Sequence, residues 1–456
     1  MAARVLRSRE EAEGYVASVC FKHGPPTRLG VELEWVVQHS GNPHLPLQGP
    51  HLAAALGAHA PPSLVPDSPQ TPLPNGCLVT VEPGGQLEIS SPPCGSLAEL
   101  ISIVDGDITA LVALLEPAGL RLTGSGADPY RPPRRLIDIP RYAAMEAAFD
   151  RIGPMGRAMM CSTAAVQVCL DAGSTPGEVT SRWAALHEMG PVLLAAFANS
   201  PWLGGQHTGW VSSRMLAWFT LDPVRTWPSA VRWHPMDRAT RNPIKACDPA
   251  AQWARRALDT PLLCRRRAGR RWDVPGGTTF ADWLSGAFPD PPSTADLDYH
   301  LTTLFPPVRP RGHVEVRYLD AQPGRQWVVP VAVLAALMSD PAVTAAARDA
   351  CAPAAGRWLD AAQWGLRDDT LAAAAITVFE LACTALPALD APAEVQQLVE
   401  EITEGRVRHR RCPADDLAAD LIDCADHRSR HCPASPASQR YRNGTRLPGF
   451  REGQAL

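Results

Sequence analysis

Gly30-Val31-Glu32-Leu33-Glu34-Trp35, followed by Val79-Thr80-Val81-Glu82-Pro83-Gly84-Gly85-Gln86-Leu87-Glu88-Ile89-Ser90, decides how the chain folds. Both segments alternate apolar and polar residues, which is the period of a strand whose side chains point to opposite faces. Val31, Leu33 and Trp35 share one face of the first strand, and Glu32 and Glu34 share the other. In the second segment Pro83-Gly84-Gly85 marks a hairpin turn. A loop over residues 83–87 would set Glu82 opposite Glu88, both off the apolar face.

Two later segments repeat the pattern. In Val166-Gln167-Val168-Cys169-Leu170 the valines and Leu170 point one way and Gln167 the other; in His313-Val314-Glu315-Val316-Arg317 the polar face holds His313, Glu315 and Arg317. Like charges facing one another on a sheet destabilise it, so clustered carboxylates need countercharge or must hold their protons. Divalent cations bound through oxygen supply that charge, and Mg2+ typically takes one or two carboxylates plus substrate phosphates. Arg317 beside Glu315 suits phosphate oxygens. Alternation alone says no more than a polar sheet face able to hold a metal, since a merely wet face reads the same way.

Around these strands the chain reads as helix, loop and helix again. A helix covers the first 20 residues and stops near His23-Gly24-Pro25-Pro26. Residues 41–75, rich in Pro, Gly and His, form a long excursion with a short helix at 51–56. Further helices are expected over 97–116, 141–151 and 177–198, while 227–271 resists assignment. From Pro330 to about residue 386 the chain is Ala-rich and helical, and from Ala391 two charged helices lead into a fraying tail. Strands confined to the first three-quarters, without βαβ alternation, indicate an α+β fold with an antiparallel sheet. The expected division is a catalytic domain over 1–390 and a C-terminal helical segment with tail over 391–456.

Composition narrows the function classes. With 45 % hydrophobic and 20 % charged residues the chain can bury a core, and a net charge of -4 calls for neither nucleic acid nor an anionic membrane. The basic run Arg265–Arg271 reads as solvated surface. The N-terminus has no secretory pattern and the apolar run 329–338 is too short to span a bilayer, so a soluble, cytoplasmic protein is expected. The 12 cysteines are scattered and read as reduced thiols, with Cys161, Cys169 and Cys383 acting as small hydrophobes. In the tail, His409, Cys412, Cys424, His427, His431 and Cys432 include one ligand-like spacing, but crowding by Arg and Asp favours a solvated helix end over a zinc site.

The wording of these segments resembles the glutamate–cysteine ligases, in the type shared by plant enzymes and the ergothioneine-pathway enzymes of actinobacteria. It is carried by Gly30–Glu34 and Val81–Glu88, then by Arg141-Tyr142 with Met145, Gly156 and Met159-Met160, Thr163 and Val166-Gln167-Val168. Phe197–Pro201, Ser213-Arg214 and His300-Leu301-x-Thr303-x-Phe305-Pro306 with Glu315-Val316-Arg317 complete it, over roughly residues 28–330.

The resemblance implies a glutamine-synthetase-like carboxylate–amine ligase fold: a curved antiparallel sheet with helices packed on its outer face. By position it implies Glu32, Glu34, Glu82, Glu88, Gln167 and Glu315 as ligands, direct or through water, of Mg2+ or of Mn2+ in its place. Arg317 would contact ATP phosphates and act in catalysis together with Arg214. Arg141, Thr163 and Arg214 would hold glutamate or its acyl phosphate, and His300 would have a structural role or one on the adenine side of ATP. The implied substrates are L-glutamate, L-cysteine and ATP, on a monomer without nucleic-acid or membrane partners. Ala164-Ala165 and Met215–Phe219 depart from the plant pattern, which leaves open another acceptor amine, or a silent protein that only binds metal or nucleotide.

Overall fold

The computed structural model describes residues 3–228, 248–269 and 271–417. Its centre is an antiparallel sheet built from β1 (Leu29–His39), β2 (Leu78–Val81), β3 (Leu87–Ser90), β4 (Leu120–Thr123) and β5 (Ala165–Leu170). A separate hairpin, β6 (Trp202–Leu203) with β7 (Gln206–His207), intervenes before β8 (Val308–Pro310) and β9 (Val314–Asp320) complete the sheet. The order is β2-β3-β1-β5-β9-β8, and β4 pairs with the far end of β1. Long β1 thus carries three neighbours, and the chain returns to it from widely separated positions.

The alternation in the sequence sorts the two faces. Val31, Leu33, Val79, Val81, Leu87, Ile89, Val166, Val168, Val314 and Val316 are all buried. The helices Leu97–Leu115, Gly190–Phe197 and Val328–Leu337 pack against the strands and close the apolar side. Ser96 caps the first of these, its hydroxyl accepting from the Glu99 amide, which satisfies one of the orphan N–H groups at a helix start. The polar side is covered as well. Pro140–Asp150, Met155–Ser162 and Ser213–Leu221 contribute residues to a cavity over the glutamates, so helices lie on both sides of the sheet rather than on its outer face alone.

The helix expected over 177–198 is two helices, Pro176–Glu188 and Gly190–Phe197. Pro191 has no N–H to continue the ladder. Gly190 leaves room for Trp358: a Cβ there would lie 2.0 Å from the indole ring. In the stretch 227–271, Pro249–Asp259 is a helix, and Arg265 lies over the rings of Trp283 and Phe288.

Ala393–Ile402 packs on Val328–Leu337, and its Val395 and Val399 enter the same apolar cluster as the sheet. Among the described residues one helical stretch, Asp369–Leu389, is long and apolar enough to cross a membrane, or two if the bent pair from Gly324 to Ala354 counts as one span. Half of the Asp369–Leu389 window is buried against the rest of the protein, as in a core helix. Of the Cys/His tail group, Cys412 is buried beside Asp415, while Cys424, His427, His431 and Cys432 lie outside the described residues.

Candidate active site

Register brings the carboxylates together. Glu34 stands directly opposite Glu88, and Glu32 opposite Gln167. The expected pairing of Glu82 with Glu88 does not form. The Glu82 amide donates to the Gln86 carbonyl at 2.8 Å and Gly85 N–H to the Glu82 carbonyl at 2.8 Å, so the loop is Pro83-Gly84-Gly85 and Glu88 faces Thr80. Gly85 has φ +92°, a left-handed conformation natural to glycine, and a Cβ on Gly84 would fall 2.1 Å from the Cys161 carbonyl oxygen. The two glycines therefore let the hairpin press onto the helix Met155–Ser162. Gln86 fastens it there, its amide donating to the carbonyls of Met160 and Thr163 at 3.3 and 2.9 Å.

A cavity of about 220 Å³ opens above these strands, with Glu32, Glu34, Glu82, Glu88, Gln167, Arg309, Arg311 and Arg317 on its floor side. Arg141, Tyr142, Met160, Thr163 and Trp218 face them from the roof. The carboxylates are under mutual strain. Burial, then the charges of Glu88 and Glu315, push Glu32 up to about 8. Burial and Glu82 raise Glu34 to about 7, and burial with Glu82 and Glu34 raises Glu88 to about 8. Glu82 is raised by burial too. Glu88 accepts from the Thr80 hydroxyl at 2.6 Å and Glu34 from the Gln167 amide at 2.5 Å, while no described residue hydrogen-bonds to the Glu32 or Glu82 carboxylate.

Glu315, on the neighbouring side of the same face, is in the opposite situation. Burial works to raise it, but Arg309 and then Arg317 override this and hold it well below the usual carboxylate range. Arg309 forks onto both oxygens at 2.6 and 3.1 Å, and Arg317 donates to one at 3.0 Å. Arg317 also donates to the Gln167 carbonyl oxygen, so one amide links Arg317 to Glu34. The Arg317 Nε, buried, has no partner among the described residues.

The structure separates other expected site residues from the cavity. Arg214 is 1 % exposed and lies behind the wall; it donates to the Arg317 carbonyl at 2.7 Å, sits 3.8 Å from Asp320 and stacks on Trp218 at 4.7 Å. Asp320 in turn accepts from the Ser200 and Ser212 hydroxyls and the Asn199 amide. This buried network ties Arg214 to the Arg317 main chain and to Trp218, and Arg214 itself does not line the cavity. His300 is buried against Phe280, its Nε2 2.8 Å from the Ala257 carbonyl, and does not line the cavity. Arg141 and Thr163 do line the cavity: Arg141 donates to Thr302 at 2.8 and 3.0 Å, and the Thr163 hydroxyl donates to the Met159 carbonyl.

Sequence reading missed Arg309, Arg311 and Cys169. The two arginines sit in a loop-like Val308-Arg309-Pro310-Arg311 stretch whose pairing with β9 alternation does not reveal. Cys169 was read as a small hydrophobe, yet it follows Gln167 by two on β5 and so belongs to the same polar face; its thiol, Glu32 and Glu315 present ligand atoms all within 4.8 Å of one another. Ala164 and Ala165 are fully buried and do not line the cavity.

The donor set suits a hard divalent cation: oxygen ligands, an excess of negative charge, and carboxyl groups that burial holds up despite nearby arginines. Arginines on the adjoining side suit an anion such as phosphate.

Residues 28–432 match the model of glutamate-cysteine ligase family 2. The glutamate–cysteine ligase EgtA of Mycolicibacterium smegmatis is 38 % identical over 420 residues, covering 91 % of this chain and 92 % of that protein. EgtA of Mycobacterium tuberculosis is 36 % identical over 425 residues, with 90 % of each covered. The chloroplastic glutamate–cysteine ligase of Brassica juncea is 31 % identical over 259 residues, 54 % of this chain and 47 % of that protein.

Proposed function

The chain belongs to glutamate-cysteine ligase family 2, and we propose that it uses ATP to join the γ-carboxylate of L-glutamate to the amine of L-cysteine, giving γ-glutamylcysteine, ADP and phosphate. The observation that carries this reading is the split face of the cavity, with Glu32, Glu34, Glu82 and Glu88 on one side and Arg309, Arg311 and Arg317 on the other. A magnesium nucleotide has the complementary arrangement of charge.

Glu32, Glu34, Glu82 and Glu88 would hold Mg2+, or Mn2+ in its place, with Glu315 within reach of Glu32 and Gln167 bridging to Arg317. Bound there, the cation would offset negative charge on phosphate oxygens. The glutamate γ-carboxylate attacks the γ-phosphorus of ATP, ADP leaves, and the cysteine nitrogen then displaces phosphate from the γ-glutamyl phosphate. The chain's own part is positioning and charge. Arg317 and Arg311, which line the cavity, would face the transferred phosphoryl oxygens, and Arg141 at the roof would face the glutamate carboxylates. Trp218 and Tyr142 enclose the site and limit water, which would otherwise hydrolyse the acyl phosphate. The product feeds low-molecular-weight thiol synthesis in the cytoplasm, with ergothioneine as the first destination to examine.

The test is ADP release with glutamate and a panel of amines, with Mg2+ present or chelated. Cysteine-selective, Mg2+-dependent turnover is expected. Selective turnover with another amine would replace the acceptor, and ATP binding without turnover would sink the ligase reading.

A further inference from the structure

We propose that Tyr299 is a positioning residue for glutamate recognition: its ring holds the Arg141 guanidinium at the cavity roof in the orientation that meets the substrate carboxylates. The inference deepens the ligase reading and rests on Arg141 facing glutamate.

Arg141 is placed where a cation is poorly supported. It lies in the first turn of the helix Pro140–Asp150, whose free N–H groups carry partial positive charge, and that turn holds no acidic residue. Its hydrogen bonds both go to Thr302, at 2.8 Å to the hydroxyl and 3.0 Å to the carbonyl, and no carboxylate pairs with it among the described residues. The charge is turned toward the cavity, where it lowers Glu82 against the pull of burial. A long side chain tied only to one neutral residue keeps much of its freedom, and a ligand would have to remove that freedom on binding.

Tyr299 supplies the missing support. The Arg141 guanidinium carbon lies over its ring, 5.0 Å from the centroid, and the group is also near its hydroxyl. A ring attracts a cation through its quadrupole without neutralising it, so Arg141 is held while its charge stays available. A carboxylate in the same place would compete with the substrate. The ring is itself fixed: Arg266 lies over it at 4.7 Å, and Trp272 meets it edge-on at 5.8 Å. Arg266 is tied in turn to the Ala295 carbonyl at 2.6 Å. The helix carrying Tyr299, Thr294–Leu301, starts from a capping box of Ser293 and Asp296, and the Tyr15 hydroxyl donates to its Asp298 at 2.9 Å. Two guanidinium groups against one ring repel each other, a cost that packing alone does not require.

The experiment is steady-state kinetics on the full-length protein with Mg2+, with KM measured separately for glutamate, cysteine and ATP. Tyr299→Leu is expected to raise the glutamate KM about fivefold, to leave the other two within about twofold, and to lower kcat by less than KM rises. Tyr299→Phe keeps the ring and should fall between the wild type and Tyr299→Leu. In an Arg141→Ala background, where the glutamate KM is already raised, Tyr299→Leu should add nothing. Additive effects in that cycle, equal rises in all three KM values, or Tyr299→Phe as impaired as Tyr299→Leu would overturn the proposal. An unchanged glutamate KM in Tyr299→Leu beside a raised one in Arg141→Ala would overturn it and leave the ligase reading standing. A normal glutamate KM in Arg141→Ala would remove the role given to Arg141, and absence of turnover in the wild type would remove the ligase reading; either takes this inference with it. Circular dichroism reports whether Tyr299→Leu folds. Should it not, phenylalanine of increasing ring fluorination at position 299 keeps the shape and weakens the quadrupole; the glutamate KM must then climb along the series, and a flat series overturns the proposal.

Discussion

Glu315 and Glu88 are buried glutamates on the same sheet face, and they sit in opposite electrostatic surroundings. Glu315 is fully enclosed and carries the Arg309 fork and Arg317, which hold its carboxyl ionised far below the usual range. Glu88 faces Glu34 across the strand pair, receives one hydroxyl from Thr80, and is pushed up to about 8. One half of the face has its charge balanced within the fold, and the other leaves it for something bound. Burial raises a carboxyl in both places, so the partner, not the depth, decides the sign.

The same isosteric substitution should therefore act in opposite directions in the two halves. Glu315→Gln strips Arg309 and Arg317 of their counter-ion inside the protein, and the loss should be about 3 kcal/mol of stability. Turnover should fall by at least about a thousandfold as the arginines lose their alignment. Urea unfolding and ADP release measure the two effects; a variant as stable and active as the wild type would dissolve the contrast. Glu88→Gln removes one of two opposed carboxylates, so the metal-free protein should be unchanged or gain about 1 kcal/mol. Its Mg2+ affinity, by calorimetry, should weaken by about 10–100-fold. A variant destabilised as much as Glu315→Gln would mean that Glu88 is also balanced internally.

The carboxylate-rich half also sets a pH response. Glu32, Glu34 and Glu88 are raised to about 8, 7 and 8 from their ordinary values near 4.5, so the folded state holds protons that the unfolded chain has released. Their contribution is fully present below pH ~4.5 and is lost as pH rises through about 7 to 8. In chelator, the melting temperature should fall between pH 6 and pH 8.5, and Mg2+ should flatten that fall by stabilising the ionised carboxylates. Thermal melts at matched ionic strength with and without Mg2+ decide it. A rise with pH in chelator would show that the carboxylates are already compensated.

The face of the sheet was legible because alternation assigns a face residue by residue, and Glu32, Glu34, Glu82, Glu88, Gln167 and Glu315 all belong to the one assigned. Register was not, since it depends on loop length. The Glu82 and Gln86 main chains pair and close a shorter loop than the spacing of the two glutamates suggested, which sets Glu88 opposite Thr80. Arg309 escaped because its role comes from pairing with β9 rather than from its neighbours in sequence. Arg214 and His300 do not line the cavity because tertiary packing encloses both, and no local pattern in the sequence distinguishes a fully enclosed arginine from one that opens onto a cavity.

Thr80→Val is the mildest way to sharpen the difference between the halves. The Thr80 hydroxyl donates to Glu88 at 2.6 Å and lowers its carboxyl against the pull of burial and of Glu82 and Glu34. Valine keeps the shape and β-propensity and removes only the donor. The cost to the folded protein should be about 1 kcal/mol where Glu88 is ionised and smaller where it is protonated, because a neutral carboxyl needs the donor less. The penalty should thus grow as pH rises from 6 to 8.5 in chelator, and Glu88 should titrate higher than in the wild type. Urea unfolding across that range gives the slope. A penalty independent of pH would show that Thr80 holds the strand pair together and has no part in the charge of the site.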